Sequence, residues 1–488
     1  MSRRIRRIAI ETGVAGVLAA SVACAVGPTY RRPDVPAPPA FAEGLPSGWK
    51  DAQPRDGAVK GPWWEVFADS ELSALEQHVS ISNQNVLAAE AQLRAAQAAV
   101  RVAGADRFPE VSVVPTATQT GAAGPLASQN LYVVPVDVTW QIDLWGGIRR
   151  SVQANKASAQ ASAAQLGNAR LLFQAELATD YFQRQGLDAT RKLLEDAVAS
   201  YENFVQLTQD RYEGGVASMG DVTLAQTQLE TARAQLADLG VEQAQLDHAI
   251  AVLTGAAPAQ FSMPTPLLAS AASLPDIPVG VPSELLERRP DVAAAERQVA
   301  AANAEIGVAK SAFYPALTLT AAGSSRTAVV ADLLTMPTRF WSVGAELAQT
   351  LFDAGKRRAQ VAVAQATYDA TVANYRQTVL TGFQQVEDTL ATLRVLADES
   401  AIIDRAVDAA KRSLDISTTQ YRGGLTNYLQ VITAQTNLLQ NQRAAAEILT
   451  RRQVASVTLI QALGGGWDVS EEGRGQRAEG KNEGKGIR

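Results

Sequence analysis

The sequence predicts a mixed membrane α/β fold built from two tandem repeats. Each chain supplies four strands to a β-barrel that closes only in an oligomer, together with very long helices. Three observations carry this reading. RYEGGVASMGDVTLAQTQL at 211–229 recurs as QYRGGLTNYLQVITAQTNL at 420–438, so that Tyr212 to Leu229 lies on Tyr421 to Leu438 without a gap. Residues 147–212 and 355–421 hold no proline and read as very long helices. LYVVPVDVTWQIDLW at 131–145 alternates apolar with polar residues from Val136 to Leu144.

Composition sets the frame. Hydrophobic residues make 47% of the 488 and aromatic ones only 6%, which suits long helices better than a thick aromatic core. The formal charge of −6 argues against a nucleic-acid partner.

Residues 1–23 read as a secretory signal: Arg3, Arg4, Arg6 and Arg7 precede a short apolar run that ends in small residues before Cys24. The run is too short to span a bilayer as a helix. Cys24 is the sole cysteine, so it has no internal disulfide partner. Ser21-Val22-Ala23-Cys24 resembles a bacterial lipobox, with Ser21 where leucine is usual, and it marks Cys24 for lipid attachment. Ala25 follows, not the aspartate that retains such lipoproteins in the inner membrane, which points to outer-membrane lipid. One lipid-modified residue is a weak anchor unless a second membrane contact joins it.

Residues 24–66 form a proline-rich, extended segment. Repeat 1 covers 67–255. It opens with a helix near 69–107, stopped by Phe108-Pro109, because the residue before proline avoids the α region. Two strands follow, near 111–121 and 131–145. The second places Tyr132, Val134, Val136, Val138, Trp140, Ile142 and Leu144 on one face, against Asp137, Thr139, Gln141 and Asp143 on the other. That is the pattern of a membrane strand, apolar toward lipid and polar toward a lumen. The helix 147–212 comes next; at about 1.5 Å per residue it would span about 100 Å. A tip containing Gly214 and Gly215 turns it into a helix at 219–254. Within that helix Leu229, Leu236 and Ile250 form one heptad seam, interrupted by Gln243, and Ala232, Leu239, Leu246 and Leu253 form another.

A proline-rich link at 256–282 leads to repeat 2 at 283–465. Val86 to Pro109 lies on Val292 to Pro315, with Glu90 on Glu296 and Gln92 on Gln298. Strands are expected near 316–325 and 340–353, with a weaker alternation. Helices are expected near 284–312, 355–421 and 428–463 about the turn at Gly423 and Gly424. So long a period is a domain duplication rather than a solenoid. Residues 466–488 are glycine-rich and charged, the composition of a disordered tail.

Open strand edges in lipid cost several kcal/mol per unpaired group, so chains must associate. Eight strands fill with side chains and about 16 leave an aqueous channel. Three chains are the smallest number that leaves a lumen.

CAVGPTYRRPDVPAP at 24–38 resembles the acylated N-terminus of OprM/NodT-type outer-membrane efflux lipoproteins. The two units, each ending in a Tyr-x-Gly-Gly turn and a helix, resemble the wider TolC-like outer membrane factor family over nearly all of 24–465. The resemblance implies a homotrimer with a 12-stranded outer-membrane β-barrel and a periplasmic α-helical barrel. It also implies partners: a periplasmic adaptor (membrane fusion) protein and an inner-membrane pump, of the RND type. In such a family Tyr212, Gly214, Gly215, Gly423 and Gly424 form the hairpin tips where an adaptor docks. The resemblance further implies a periplasmic gate. Tyr421 takes the family's gate tyrosine position and Asp221 the aspartate position, so a Tyr421–Asp221 contact is expected. Thr426 stands where the family carries an arginine, and Gln430 and Thr433 stand at its two acidic positions, so the ionic link and the acidic ring are missing. Asp221 also suits the N-terminus of the helix that starts beside it.

Enzyme chemistry is not expected. His78 and His248 lie far apart in sequence, and a lone histidine on a helix is more often solvated than a metal ligand. GGVASMG at 214–220 lacks the Lys-Ser/Thr of a phosphate loop. No cofactor is implied. A type I protein-secretion channel and a lipid-anchored coiled-coil scaffold without a pore are the rival readings. The GPTYRRP motif disfavours the first and the alternating strand the second.

Overall fold

A computed structural model describes residues 25–35, 38, 41–43, 62–121, 129–263, 274–275, 277, 288–332 and 339–465. The leader 1–23, Cys24, most of the link and the tail 466–488 lie outside the described residues.

In chain order the elements are α1 (Ser70–Ser82), α2 (Gln84–Ala105), β1 (Glu110–Val113), β2 (Thr116–Thr120), β3 (Gln129–Ile142), α3 (Gly147–Glu213), α4 (Met219–Leu253), α5 (Pro290–Ser311), β4 (Ala316–Thr327), β5 (Arg339–Ala348), α6 (Lys356–Arg422) and α7 (Tyr428–Ala462). Lengths recur: α2 and α5 have 22 residues, α3 and α6 have 67, and α4 and α7 have 35.

Three expectations need correction. The first helix is two helices. Asn83 adopts an extended backbone, its side-chain oxygen caps α2 by accepting from Asn85 N (2.9 Å) and Val86 N (3.2 Å), and its amide donates to Leu253 O at 2.8 Å. The strand at 111–121 is broken at Val114-Pro115, since proline offers no N–H to the ladder. The strands at 131–145 and 340–353 end at Ile142 and Ala348. Asp143 instead accepts from the backbone N of Ile148 (3.1 Å) and Arg149 (2.9 Å), capping α3, and Asp353 accepts from Gly355 N (3.1 Å) and Arg357 N (3.2 Å), capping α6.

The contacts divide the chain into two units, each drawing segments from both sequence halves. The first holds residues up to 35, 91–163 and 294–377. It contains the sheet, in order β1-β3-β4-β5, with β2 also pairing β3. Every pairing is antiparallel. β1 and β2 occupy one line of the sheet: Val113 opposes Val136 and Thr116 opposes Val133. That line and β5 are the two edges.

The second unit holds 36–90, 164–293 and 378–488. Its main core joins Trp63 and Trp64 to Leu72, Leu177, Phe182, Ile250, Leu390 and Leu459. Burying such side chains stabilises by about 1.5–3 kcal/mol each. The polar interruption of the heptad seam is explained here. Gln243, only 5% exposed, accepts from Arg191 (3.0 Å) and donates to Asp188 (2.9 Å). Arg184 joins Asp188 to Asp247, the latter at 2.8 Å. This half-buried polar network, in which Asp188 Oδ2 alone is left without a partner, pins α4 against α3 in one register.

Candidate functional site

The sheet register settles which side chains share a face. Val138 on β3 stands opposite Val111 on β1 and Ala321 on β4, and Ala321 stands opposite Val343 on β5. Directly opposed residues lie on one side of a sheet. Continuing outward, this face carries Trp140, Val136, Leu317, Leu319, Leu347 and Trp341. The opposite face carries Asp137, Thr139, Gln141, Thr318, Thr320 and Glu346. Between Val136 and Ile142 one side of the sheet is thus apolar and the other polar from edge to edge, and the contrast fades beyond, with Ser325 and Arg339 on the first side and Val133 and Phe340 on the second. Such a sheet suits a wall with lipid outside and water inside. β5 is exposed along its entire length, with Trp341 and Val343 about three-quarters exposed. Among the described residues no helix is long and apolar enough to cross a membrane.

The GPTYRRP motif straps onto the same unit. Val26 N donates to Trp145 O at 3.0 Å, and Arg150 donates to Val26 O (3.2 Å) and Gly27 O (3.3 Å). Gly27 has φ +110°, and a Cβ there would stand 2.5 Å from the Cα of Gly307, so only glycine fits. Asn303 donates to Pro28 O at 3.3 Å, Tyr30 donates to Glu296, and Arg32 donates to the Tyr375 hydroxyl at 3.1 Å. The strap carries Ala25, the neighbour of Cys24, to Gly146 just past the end of β3.

The two tips belong to the second unit and share one backbone. Gly215 N donates to Tyr212 O (2.9 Å) and Val216 N to Arg211 O (2.9 Å). Gly424 N donates to Tyr421 O (3.0 Å) and Leu425 N to Gln420 O (2.9 Å). This is the Schellman ending, which needs a left-handed residue. Gly215 (φ +72°) and Gly424 (φ +73°) supply it, whereas Gly214 and Gly423 have ordinary φ values.

The side chains of the tips differ. Tyr212 is exposed, while Tyr421 is 2% exposed and packs with Phe204, Tyr428 and Val431. The Tyr421 and Tyr428 ring centroids lie 5.4 Å apart. Arg211 from the first tip sets its guanidinium 4.8 Å above the Tyr421 ring and donates to Arg422 O at 3.3 Å. It joins the two tips within one chain by a cation–π contact. Asp221 is engaged in a capping box: its carboxylate accepts from Ser218 N (3.3 Å), and its own N donates to Ser218 Oγ (3.2 Å). The Tyr421 hydroxyl is buried without a well-formed hydrogen bond, so it makes none to Asp221 in this structure. Burial, foremost, and the nearby Asp221 charge push the Tyr421 phenol above its usual range, while Arg211 opposes them. Gln430 and Thr433 are exposed on the first turns of α7, Thr433 donating to Leu429 O at 2.9 Å. Arg211 and Tyr428 escaped the sequence reading. The signal was the repeat itself, since their counterparts are Gln420 and Met219. No group of His, Cys, Asp and Glu that could hold a metal occurs among the described residues.

Comparison with known proteins agrees with this geometry. The sequence profile described as outer membrane efflux protein matches residues 75–256 and again 281–465. The chain belongs to the outer membrane efflux protein family. The outer membrane protein OprJ of Pseudomonas aeruginosa is 30% identical over 95% of this chain and 97% of its own length. The toluene efflux pump outer membrane protein TtgC of Pseudomonas putida is 30% identical over 91% of this chain and 93% of its own. Among solved structures, the outer-membrane channel OprN superposes with a TM-score of 0.84 at 29% identity, covering 91% of this chain and all of OprN. The CmeC outer membrane channel of Campylobacter jejuni shares the fold at 21% identity, with a TM-score of 0.84 over 93% of this chain and 98% of its own. As an outer membrane efflux protein, the chain is located in the outer membrane with a large periplasmic part.

Proposed function

We propose that this chain forms a homotrimeric exit duct, which passively conducts cargo handed over by a periplasmic adaptor and an inner-membrane pump of the RND type. The observation that carries this reading is the sheet that is apolar on one side, polar on the other and open at both edges. Three copies of its four strand lines give about 12 strands, above the count at which side chains fill a barrel. Acylation at Cys24 adds a lipid anchor, and the strap holds the next residue, Ala25, against Gly146 just past the end of β3. Tyr212, Gly214, Gly215, Gly423 and Gly424 shape hairpin ends that meet the adaptor.

Asp221, Tyr421, Gln430 and Thr433 stand at the periplasmic mouth, and Arg211 over Tyr421 holds the two tips of each chain together. The Tyr421–Asp221 contact becomes available to the gate when the capping box opens. The duct itself performs no enzymatic step, and energy enters at the inner membrane. Relatives of comparable similarity are described by cargo as different as toluene, pyoverdine and cations. We take cargo choice to reside upstream of the duct. The test is the mass of the detergent-purified particle, together with its conductance in planar bilayers. A trimer with discrete conductance steps is expected; a monomer that forms no pores would refute the duct.

A further inference from the structure

We propose the register of the seam between protomers: β5 of one chain pairs antiparallel with the β1–β2 line of the next, so that Leu351 opposes Val111, Leu347 opposes Pro115, Ala345 opposes Ala117 and Val343 opposes Gln119. The proposal rests on the trimeric-duct reading and on treating the chain as a duplication, and it names the partner surface as a second copy of this chain.

The argument starts from correspondences inside one chain. Trp140 Nε1 donates to Arg107 O at 3.0 Å, joining a strand to the end of the preceding helix. Gln349 Nε2 donates to Phe313 O at 3.1 Å in the same manner. Trp140 therefore corresponds to Gln349, and Arg107 to Phe313. The hairpins agree: Glu110 opposes Thr139, and Ala316 opposes Ala348. Glu110 thus corresponds to Ala316, and Thr139 to Ala348.

Within the chain, β3 of the first repeat pairs with β4 of the second. Ile142 opposes Leu317, Val138 opposes Ala321, Val136 opposes Gly323 and Val134 opposes Ser325. Carrying each partner to its counterpart turns this junction into the missing one. Ile142 becomes Leu351 and Leu317 becomes Val111; Val138 becomes Leu347 and Ala321 becomes Pro115. Val134 becomes Val343, and Ser325 becomes Gln119.

Two independent features fit. The first is facing. Val343, Ala345 and Leu347 lie on the apolar side of the sheet through their β4 partners, and Val111, Val113 and Ala117 lie there through β3. The seam joins matching sides of the sheet, with Gln119, which stands opposite Asn130 of β3, a polar member, although facing was not used to derive it. A slip of one residue would set Val343 beside Thr118 or Thr120 of the polar face and break both faces. The second is exposure. Leu351 corresponds to Ile142, the last residue of β3, yet it lies beyond β5 and is 90% exposed. Val111, its proposed partner, is 63% exposed at the opposite edge. The seam extends β5 through Gln349–Leu351 and pairs both edges, as strands in lipid require.

Directly opposed residues come close enough for a disulfide, whereas diagonal neighbours stand about 7–8 Å apart. Oxidation of the full-length, detergent-solubilised Val343→Cys/Gln119→Cys protein should yield covalent dimers and trimers on denaturing gels. Val343→Cys/Ala117→Cys should yield several-fold less, and neither single variant should cross-link through native Cys24. The particle mass is measured on the same samples. A trimer in which the Ala117 pair cross-links better, or in which neither pair does, overturns the register and leaves the duct standing. A monomeric particle overturns both.

Discussion

Glu76 lies on α1 with no exposed surface, between core residues Leu72, Leu75 and Val79, and neither carboxylate oxygen has a hydrogen-bond partner. Burial pushes its carboxyl from an ordinary 4.5 up to about 9. Below about pH 4.5 both folded and unfolded chains hold the proton, and Glu76 contributes no pH dependence. Above it the unfolded chain releases the proton and the folded chain keeps it. Stability therefore falls with rising pH by about 1.4 kcal/mol per unit, until the folded group ionises near pH 9. From about pH 5.5 to about pH 8.5 the loss is about 4 kcal/mol per chain at most. For a chain of this size about 1 kcal/mol moves the melting temperature by about 1 °C. Glu76→Gln keeps the shape and cannot ionise. The assay is thermal melting by circular dichroism in detergent at those two pH values, for wild type and variant. The wild type should lose about 4 °C more than the variant, a difference that removes contributions from other groups such as Asp180, itself raised to about 6. Equal losses in the two proteins would show that Glu76 is not a buried neutral acid and refute the reasoning.

Other outcomes follow from the tips and the helix pair. Gly215→Ala places a side chain at φ +72° and should weaken the first tip by about 1–2 kcal/mol, whereas Gly214→Ala, with ordinary φ and space for a Cβ, should not; hydrogen exchange of residues 211–217 reads the difference. Arg211→Ala and Tyr421→Leu should each raise single-channel conductance, while Tyr421→Phe, which keeps the ring beneath Arg211, should leave it unchanged; a rise in the Phe variant alone would favour a hydroxyl latch to Asp221. Gln243→Leu leaves Asp188 and Arg191 each short of a partner and should cost about 1–3 kcal/mol despite improving the heptad pattern; a melting temperature at or above wild type would remove the network as the register pin.

Much of the architecture was legible because its signals are local. Proline-free runs ended by the Gly-Gly turns at 214–215 and 423–424 read α3 and α6 to within a residue or two at each end. The alternation of β3 gave its faces from Tyr132 to Ile142, where its partners on β1 and β4 share them, but not at Asp143 and Leu144, which lie beyond the strand. What escaped depends on tertiary partners. Asn83 splits the first helix by capping α2 while reaching Leu253, a residue far along the chain. Asp143 read as one more polar strand position, yet it serves the N-terminus of α3. The face of β5 was weak in sequence because Ser342, Gly344 and Ala345 carry little hydrophobic contrast; only pairing with β4 assigns it.

The tips show how two turns of one chain can keep one backbone and divide its chemistry. Both turns need glycine at the same step, since the left-handed ending is a backbone requirement that no side chain can replace. Side chains are free of that constraint, and there the two tips part. The first tip spends Ser218 and Asp221 on a capping box and leaves Tyr212 and Met219 exposed. At the second, Asn427 makes no side-chain cap, and Tyr421 and Tyr428 are buried where their counterparts are not. The order of the second tip therefore rests on aromatic packing beneath Arg211, a residue of the first. An ionic latch weakens as salt screens it. A buried ring under a guanidinium that also bonds a backbone carbonyl is screened much less. Closure of this mouth should then vary little with ionic strength: bilayer conductance, normalised to bulk conductivity, should stay level from about 0.1 M to about 1 M salt. A mouth that opens steeply over that range would place its closure on charge pairs elsewhere in the assembly.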